Sequence, residues 1–334
     1  MTSTAADTTA PSIIFNENEY KIISEGKANA YFPINEQVFY NPIQEFNRDL
    51  SIAVINTFSK NNNNLKLKIL EALAASGIRS MRYALEILNI EQIVTNDYDK
   101  KAVDLINLNI KLNNVNDRVK SNCGDACAFM HDSSRNNSSK FNCIDLDPYG
   151  SPTPFLDAAM KSIKNNGLLL VTATDAGVLC GNGADTCYTK YGAVSLRSPF
   201  CHETGIRILL QCINSHAIRY SKYIVPLISL SVDFYFRIFV LVFDGQMKAK
   251  ESTTKIGLAY VCSGCQSFLI QKFGDAEPTK NNFKFLPANS ISSDTCANCG
   301  GRLHMTGPLW ISSLHDKNFV KDVISTISEK THLK

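Results

Sequence analysis

The stretch Phe141-Asn142-Cys143-Ile144-Asp145-Leu146-Asp147-Pro148-Tyr149-Gly150 decides the fold. Its first six residues read as a strand buried in a parallel sheet, and Pro148, which has no N–H for the ladder, ends it. The residues that follow leave the sheet at its carboxyl edge, where open α/β sheets hold their ligands. An acid, a proline and an aromatic in this order suit methyl transfer to an exocyclic amine of a nucleic-acid base. That nitrogen is a poor nucleophile because its lone pair is spread into the ring. Hydrogen bonds from its N–H groups to the Asp147 carboxylate and the Pro148 carbonyl would localise the pair, while the Tyr149 ring stacks on a flipped base. The same residues also fit an ordinary type I turn, with Asp at its start and Pro fixing its geometry. The neighbouring segments decide between the two.

Working outward, strand-like and helix-like runs alternate, which implies a parallel sheet with right-handed crossovers. Upstream, residues 67–74, 93–96 and 119–123 read as strands. Residues 78–88 and 100–112 read as helices, the first with Ile78, Met81, Leu85 and Leu88 at helical spacing. Downstream, Pro152 starts a helix through Phe155, Ala159 and Ile163, residues 168–174 form a fifth strand, and residues 203–220 form an amphipathic helix. Residues 175–200 carry four glycines and no period, so they read as a long loop over the sheet edge. Residues 224–233 and 235–244 are both dense in Val, Ile, Leu and Phe, and so short a turn makes them antiparallel. A doubly wound α/β sheet closing on an antiparallel hairpin is the arrangement of Rossmann-like class I methyltransferases rather than of dehydrogenases. Ahead of it, residues 24–33 look like a short strand. A helix follows, with Ile43, Phe46, Leu50, Ala53 and Val54 on its core face and Gln44, Asn47, Arg48 and Ser51 on the opposite one.

Composition fits this picture. The 334 residues, 44% of them hydrophobic, suffice for one large domain and a smaller one. No apolar run reaches the ~20 residues of a membrane span, so no membrane partner is expected. The net charge of +3 permits a nucleic-acid partner without demanding one. Eleven cysteines, with no secretory signal, point to reduced thiols in a nuclear or cytoplasmic setting. Residues 1–23 read as a disordered tail, residues 24–245 as the methyltransferase domain, and residues 246–334 as a smaller unit richer in loops and polar residues.

Acids or turns stand at three successive strand ends: Glu71 with Ser76-Gly77, then Asp97, then Asp125. In a nucleoside-binding sheet the first turn lets backbone approach the ligand, the second carboxylate takes the ribose hydroxyls, and the third reaches the adenine amine. Residues 72–77 hold one glycine where a dinucleotide fingerprint needs three, which favours S-adenosylmethionine over NAD. Taken singly, each acid could equally be a helix N-cap. In the smaller unit, Cys262-Ser-Gly-Cys265 and Cys296-Ala-Asn-Cys299 supply four thiolates at the spacing of a structural zinc site. The other seven cysteines read as small core residues.

Together these segments resemble the tRNA guanine-N2 dimethyltransferase family, whose members methylate guanosine 26 of tRNA. The resemblance rests on Glu25-Gly-Lys-Ala, Val38-Phe-Tyr-Asn-Pro42, Asn47-Arg-Asp49, Ala75-Ser-Gly-Ile-Arg79, Asp145-Leu-Asp-Pro-Tyr-Gly-Ser-Pro152, Thr172-Ala-Thr-Asp175, Leu179-Cys-Gly181, Cys201-His-Glu203 and Gly307-Pro-Leu-Trp310, in the family's order. It implies that Asp147 contacts the guanine amine, that Phe39 and Tyr149 sandwich the base, and that Arg48, Arg79, Asp97, Asp125 and Ala126 line the S-adenosylmethionine site. It also implies tRNA as partner, with residues 246–334 as a zinc-binding, tRNA-contacting domain. Tyr149 stands where many members have Phe, and only 24 residues follow Trp310, fewer than in most members. An N-methyltransferase for another base, or a non-catalytic tRNA-binding relative, would share some of these features.

Overall fold

The computed structural model describes residues 19–34, 40–280, 282–290 and 294–329. The chain opens on a hairpin, β1 (Tyr20–Glu25) and β2 (Ala28–Pro33), rather than the single strand expected. Tyr20 to Ile23 are thus strand rather than tail, and the rest of that tail, residues 1–18, lies outside the described residues. Gly26 turns the hairpin at φ +54°, and a Cβ there would sit 2.4 Å from Glu86 Oε1 and 2.7 Å from Arg82, so only glycine fits.

Helix α1 (Glu45–Asn61) precedes the alternating unit: β3 (Leu67–Glu71), α2 (Ile78–Glu86), β4 (Ile90–Asp97), α3 (Lys100–Leu112), β5 (Val119–Cys123), α4 (Ala126–Ser134), β6 (Phe141–Leu146), α5 (Thr153–Ser162) and β7 (Ile163–Ala173). Two further helices, α6 (Ala184–Tyr191) and α7 (Cys201–Ile218), lead to the hairpin β8 (Lys222–Val232) and β9 (Tyr235–Asp244). The seven strands run β5-β4-β3-β6-β7-β9-β8, parallel through β7 and antiparallel from β7 to β9 and β9 to β8. This is the expected sheet, and side chains alternate across it with the strand period of two. Leu70, Ile144 and Leu169 face a core closed by α4, α5 and α7, while Ile69, Cys143, Leu168 and Leu170 face one closed by α1, α2 and α3. Each such buried Leu or Ile contributes about 1.5–3 kcal/mol.

Several expectations are corrected. The long loop over residues 175–200 contains a wide turn, Val178–Asn182, and helix α6; its glycines bound those pieces instead of dissolving them, with Gly183 before α6 and Gly192 closing it at φ +67°. Helix α1 is buried from Asn47 to Ser59, including the face read as polar, while Ile43 and Phe46 are exposed. Among the seven further cysteines only Cys143, Cys187 and Cys212 are buried; Cys123 is exposed and Cys127, Cys180 and Cys201 are half-buried.

After α8 (Gln246–Glu251), the chain forms a three-stranded sheet of β10 (Ile256–Cys262), β11 (Phe268–Lys272) and β14 (Leu303–Trp310), a small hairpin of β12 (Gly274–Pro278) and β13 (Phe283–Pro287), and helix α9 (Lys317–Glu329). Ile256, Ala259, Leu309 and Trp310 belong to the same core as α7 and the central sheet, and Arg207 Nη1 donates to the Trp310 carbonyl at 2.7 Å. Helix α9 returns to α1, burying Phe319 and Val323 and bonding Thr326 Oγ1 to Thr57 Oγ1 at 2.9 Å. No helix among the described residues is long and apolar enough to cross a membrane.

Candidate active site

At the carboxyl ends of β3, β4 and β6 lies a cavity of about 730 Å³. Asp147, Pro148 and Tyr149 form one wall, Arg48 and Arg79 another, and Asp97 with residues 73–76 a third. Six of the residues singled out from sequence are thus brought together. Asp125 and Ala126 are not among its lining residues: Asp125 Oδ1 accepts from Ala128 N at 2.7 Å and caps α4, the alternative left open above. Phe39 lies outside the described residues.

Asp147 leaves the sheet where Pro148 stops β6. The corner beyond it is pinned to the end of β7, since Gly150 N donates to Thr174 Oγ1 at 2.7 Å and Thr174 N to Gly150 O at 3.0 Å. Gly150 adopts φ +79°, which a glycine takes without strain. Tyr149 is left 74% exposed at the cavity mouth.

Beneath the corner lies a buried ionic assembly in which Asp145 is the hub. Arg237 grips both its oxygens, at 2.8 and 2.9 Å, Tyr83 donates to it at 2.6 Å, and Arg79 Nη1 approaches at 3.3 Å. Burial alone would raise its pKa, but Arg237 and Arg79 outweigh that and hold it at about 2. The other end of Arg79 pairs with Asp147 Oδ2. One guanidinium therefore ties the buried carboxylate to the one facing the cavity, so the position of Asp147 is set before any ligand enters. A second cluster sits under the first hairpin. Arg82, fully buried, binds Glu25 at 2.9 Å and Glu86 at 2.8 and 2.9 Å, and Arg48 pairs with Glu25. Ions this deep persist only when nearly every lone pair and proton has a partner. Glu71 differs: burial pushes its carboxyl up to about 8 although Arg79 opposes the rise, so it is largely protonated at neutral pH and accepts from Ser80 N at 3.1 Å.

At the end of β4, Asp97 Oδ2 accepts from Ala75 N at 2.8 Å and Oδ1 from Asp99 N at 2.9 Å. The cap of α3 is supplied by Asp99, not Asp97. Asp97 is thus held by backbone with its carboxylate turned to the cavity, beside a turn in which Ala75 (φ +49°) and Gly77 (φ +72°) both take left-handed backbone.

Sequence reasoning missed the β8–β9 turn, whose Asp233, Phe234 and Tyr235 complete the cavity. Phe234 is 82% exposed, and Tyr235 is buried with its hydroxyl unbonded among the described residues. An aromatic pair within so short a turn was the available signal.

The four cysteines converge away from this cavity. Cys262 and Cys299 sulfurs lie 3.5 Å apart and those of Cys265 and Cys296 3.6 Å, with all four within 4.8 Å of one another. Gly264 N donates to Cys262 Sγ at 3.3 Å, and the Ser267 hydroxyl, the leading cause, helps hold Cys296 down to about 6. Crowded sulfurs met by backbone donors are the donor set of tetrahedral Zn²⁺.

The strand order, the terminal antiparallel pair and a cavity at the carboxyl edge define the class of Rossmann-like methyltransferase folds. A family profile described as N2,N2-dimethylguanosine tRNA methyltransferase matches residues 18–334, and the chain belongs to that family. It is 42% identical to the tRNA (guanine(26)-N(2))-dimethyltransferase of Drosophila melanogaster, across 97% of this chain and 64% of that one. The Homo sapiens protein of the same name is 39% identical, across 92% and 55%. The chain therefore spans little more than half to about two thirds of these relatives' length. The solved complex of Trm1 from Pyrococcus horikoshii with S-adenosyl-L-methionine superposes with a TM-score of 0.77 at 33% identity, covering 93% of this chain and 78% of that one.

Proposed function

We propose that this chain transfers methyl groups from S-adenosylmethionine to the exocyclic N2 of guanosine 26 in tRNA, as the printed names of its relatives describe. The observation that carries the reading is that Asp147 and Asp97 line one cavity, each held by fixed donors. Asp97 would hold the ribose hydroxyls of the cofactor beside the residue 73–76 turn, and Arg48 and Arg79 line the same pocket. Bound there, S-adenosylmethionine supplies an electrophilic sulfonium methyl.

Asp147 accepts an N–H of the guanine amine through the carboxylate oxygen that Arg79 does not hold, and the Pro148 carbonyl accepts the other. Both acceptors localise the lone pair and would meet the positive charge that grows on nitrogen as its bond to the methyl carbon forms and the methyl–sulfur bond breaks; the free Asp147 oxygen would take the proton that the amine then sheds. Fixed acceptors of this kind need no reorganisation during the reaction. Tyr149 stacks on the flipped base and holds it in line. After the first transfer one N–H remains, and rotation about the C–N bond returns it to Asp147 for a second. Asp125 and Ala126 lie at the end of β5, one strand beyond Asp97, and reach the adenine end if the cofactor extends that way. Residues 246–334, braced by Zn²⁺ on Cys262, Cys265, Cys296 and Cys299, form a tRNA-contacting face.

Incubating the chain with unmodified tRNA and methyl-labelled cofactor, then mapping nucleosides, tests the reading. Label in N2-methylated guanosine at position 26 is expected; label on another base, or none, would overturn it.

A further inference from the structure

A buried hydroxyl normally has a partner, because leaving one dry and unbonded is costly. Tyr235 is 3% exposed, and its hydroxyl has no hydrogen-bond partner among the described residues. It lines the same cavity as Asp147 and Arg79, entering from the far side on the first residue of β9. The residue before it, Phe234, belongs to the turn and stays exposed. The residues after it are locked, with Phe236 in the core and Arg237 on Asp145. Burial raises the pKa of this hydroxyl, with Arg237 and Arg79 opposing and Asp147 and Asp233 adding to the rise, so it stays protonated and can donate at neutral pH.

We propose that Tyr235 is a specificity-determining residue that donates its hydroxyl hydrogen to O6 of the target guanine. The inference rests on the function proposed above and deepens it. Guanine offers two donors, N1–H and N2–H, beside one acceptor, O6, on its pairing edge. Asp147 can only accept, so it reads the donors; a neutral hydroxyl supplies the donor that O6 needs. Adenine presents an amine at position 6, which would face the hydroxyl without an acceptor for it. A site whose polar groups are satisfied by one base and stranded by another discriminates more strongly than shape alone.

The test compares two tRNAs, assembled by ligation, that carry either guanosine or 2-aminopurine riboside at position 26. Both have the reacting N2 amine; 2-aminopurine lacks O6 and with it the N1–H, so the difference between parent and Tyr235→Phe isolates the hydroxyl's contact with O6. The full chain is expected to favour guanosine by about tenfold in kcat/KM, the scale of one neutral hydrogen bond. Tyr235→Phe should lose that factor on guanosine, change the 2-aminopurine rate less than twofold, and bind S-adenosylmethionine as the parent does. Equal losses on both substrates would mark Tyr235 as a packing residue and overturn the assignment. Should Tyr235→Phe fail to bind cofactor, the parent chain decides alone, because equal rates on the two tRNAs overturn the role of O6. If the parent methylates neither tRNA, the proposed function itself falls and takes this inference with it.

Discussion

Asp147 and Glu71 illustrate how two carboxylates beside one arginine take opposite roles. Asp147 is partly open to the cavity and paired with Arg79, whereas Glu71 is sealed under the turn and largely protonated. Replacing Asp147 with Asn keeps its shape and removes its charge. The variant is expected to lose about 10²-fold or more in methyl transfer, the usual cost of one fixed catalytic hydrogen-bond partner, while binding S-adenosylmethionine within about threefold. Turnover near the parent's would sink the role given to this acid. For Glu71 the readout is stability. Its folded pKa, raised to about 8 from 4.5, means that the folded state keeps a proton the unfolded chain has released. That contribution is complete below the unfolded value and is lost as pH rises toward 8, at up to about 1.4 kcal/mol per pH unit. Urea midpoints of Glu71→Gln should lack this decline between roughly pH 5 and 8. An unchanged slope would show that the decline has another source.

Among the elements, the parallel strands were legible because they are dense apolar runs ended by acids, glycines or Pro148. The antiparallel pair was legible because its turn is too short for a crossover. What could not be read was anything decided by partners far along the chain. The polar face of α1 looked like a solvent face, yet Arg48, Asn47 and Ser51 point inward to Glu25, Arg79 and Arg237. Asp145, near the end of an apolar strand, is met by two buried arginines. Its partners stand 66 and 92 residues away, beyond the reach of local pattern. The tip of the β8–β9 hairpin was missed for a related reason: the sequence places Phe234 in a turn, and only the fold brings that turn to the cavity that Tyr149 also lines. Phe234→Ala is expected to leave the thermal midpoint unchanged and to raise KM for tRNA about tenfold, within the range of base–aromatic stacking. A loss of stability with no change in KM would return this ring to packing.

For the whole molecule, the four-cysteine cluster braces strands that share the main core. Once loaded with the Zn²⁺ proposed above, the chain when stripped by a chelator, or with Cys299 replaced by Ser, should show a thermal midpoint lower by roughly 5 °C or more and S-adenosylmethionine affinity within about twofold, as measured by calorimetry. A fall in cofactor affinity as large as the fall in stability would mean that the cluster shapes the cavity directly. At the opposite side, α9 lies along α1 through Phe319, Val323 and the Thr326 to Thr57 bond, and α1 carries Arg48 into the cavity. The chain is thereby buckled like a belt, its late helix fastened over its first. A single protease cut in residues 312–316 would undo the clasp, and its effect should be felt some 270 residues upstream, as a looser grip of Arg48 on Glu25.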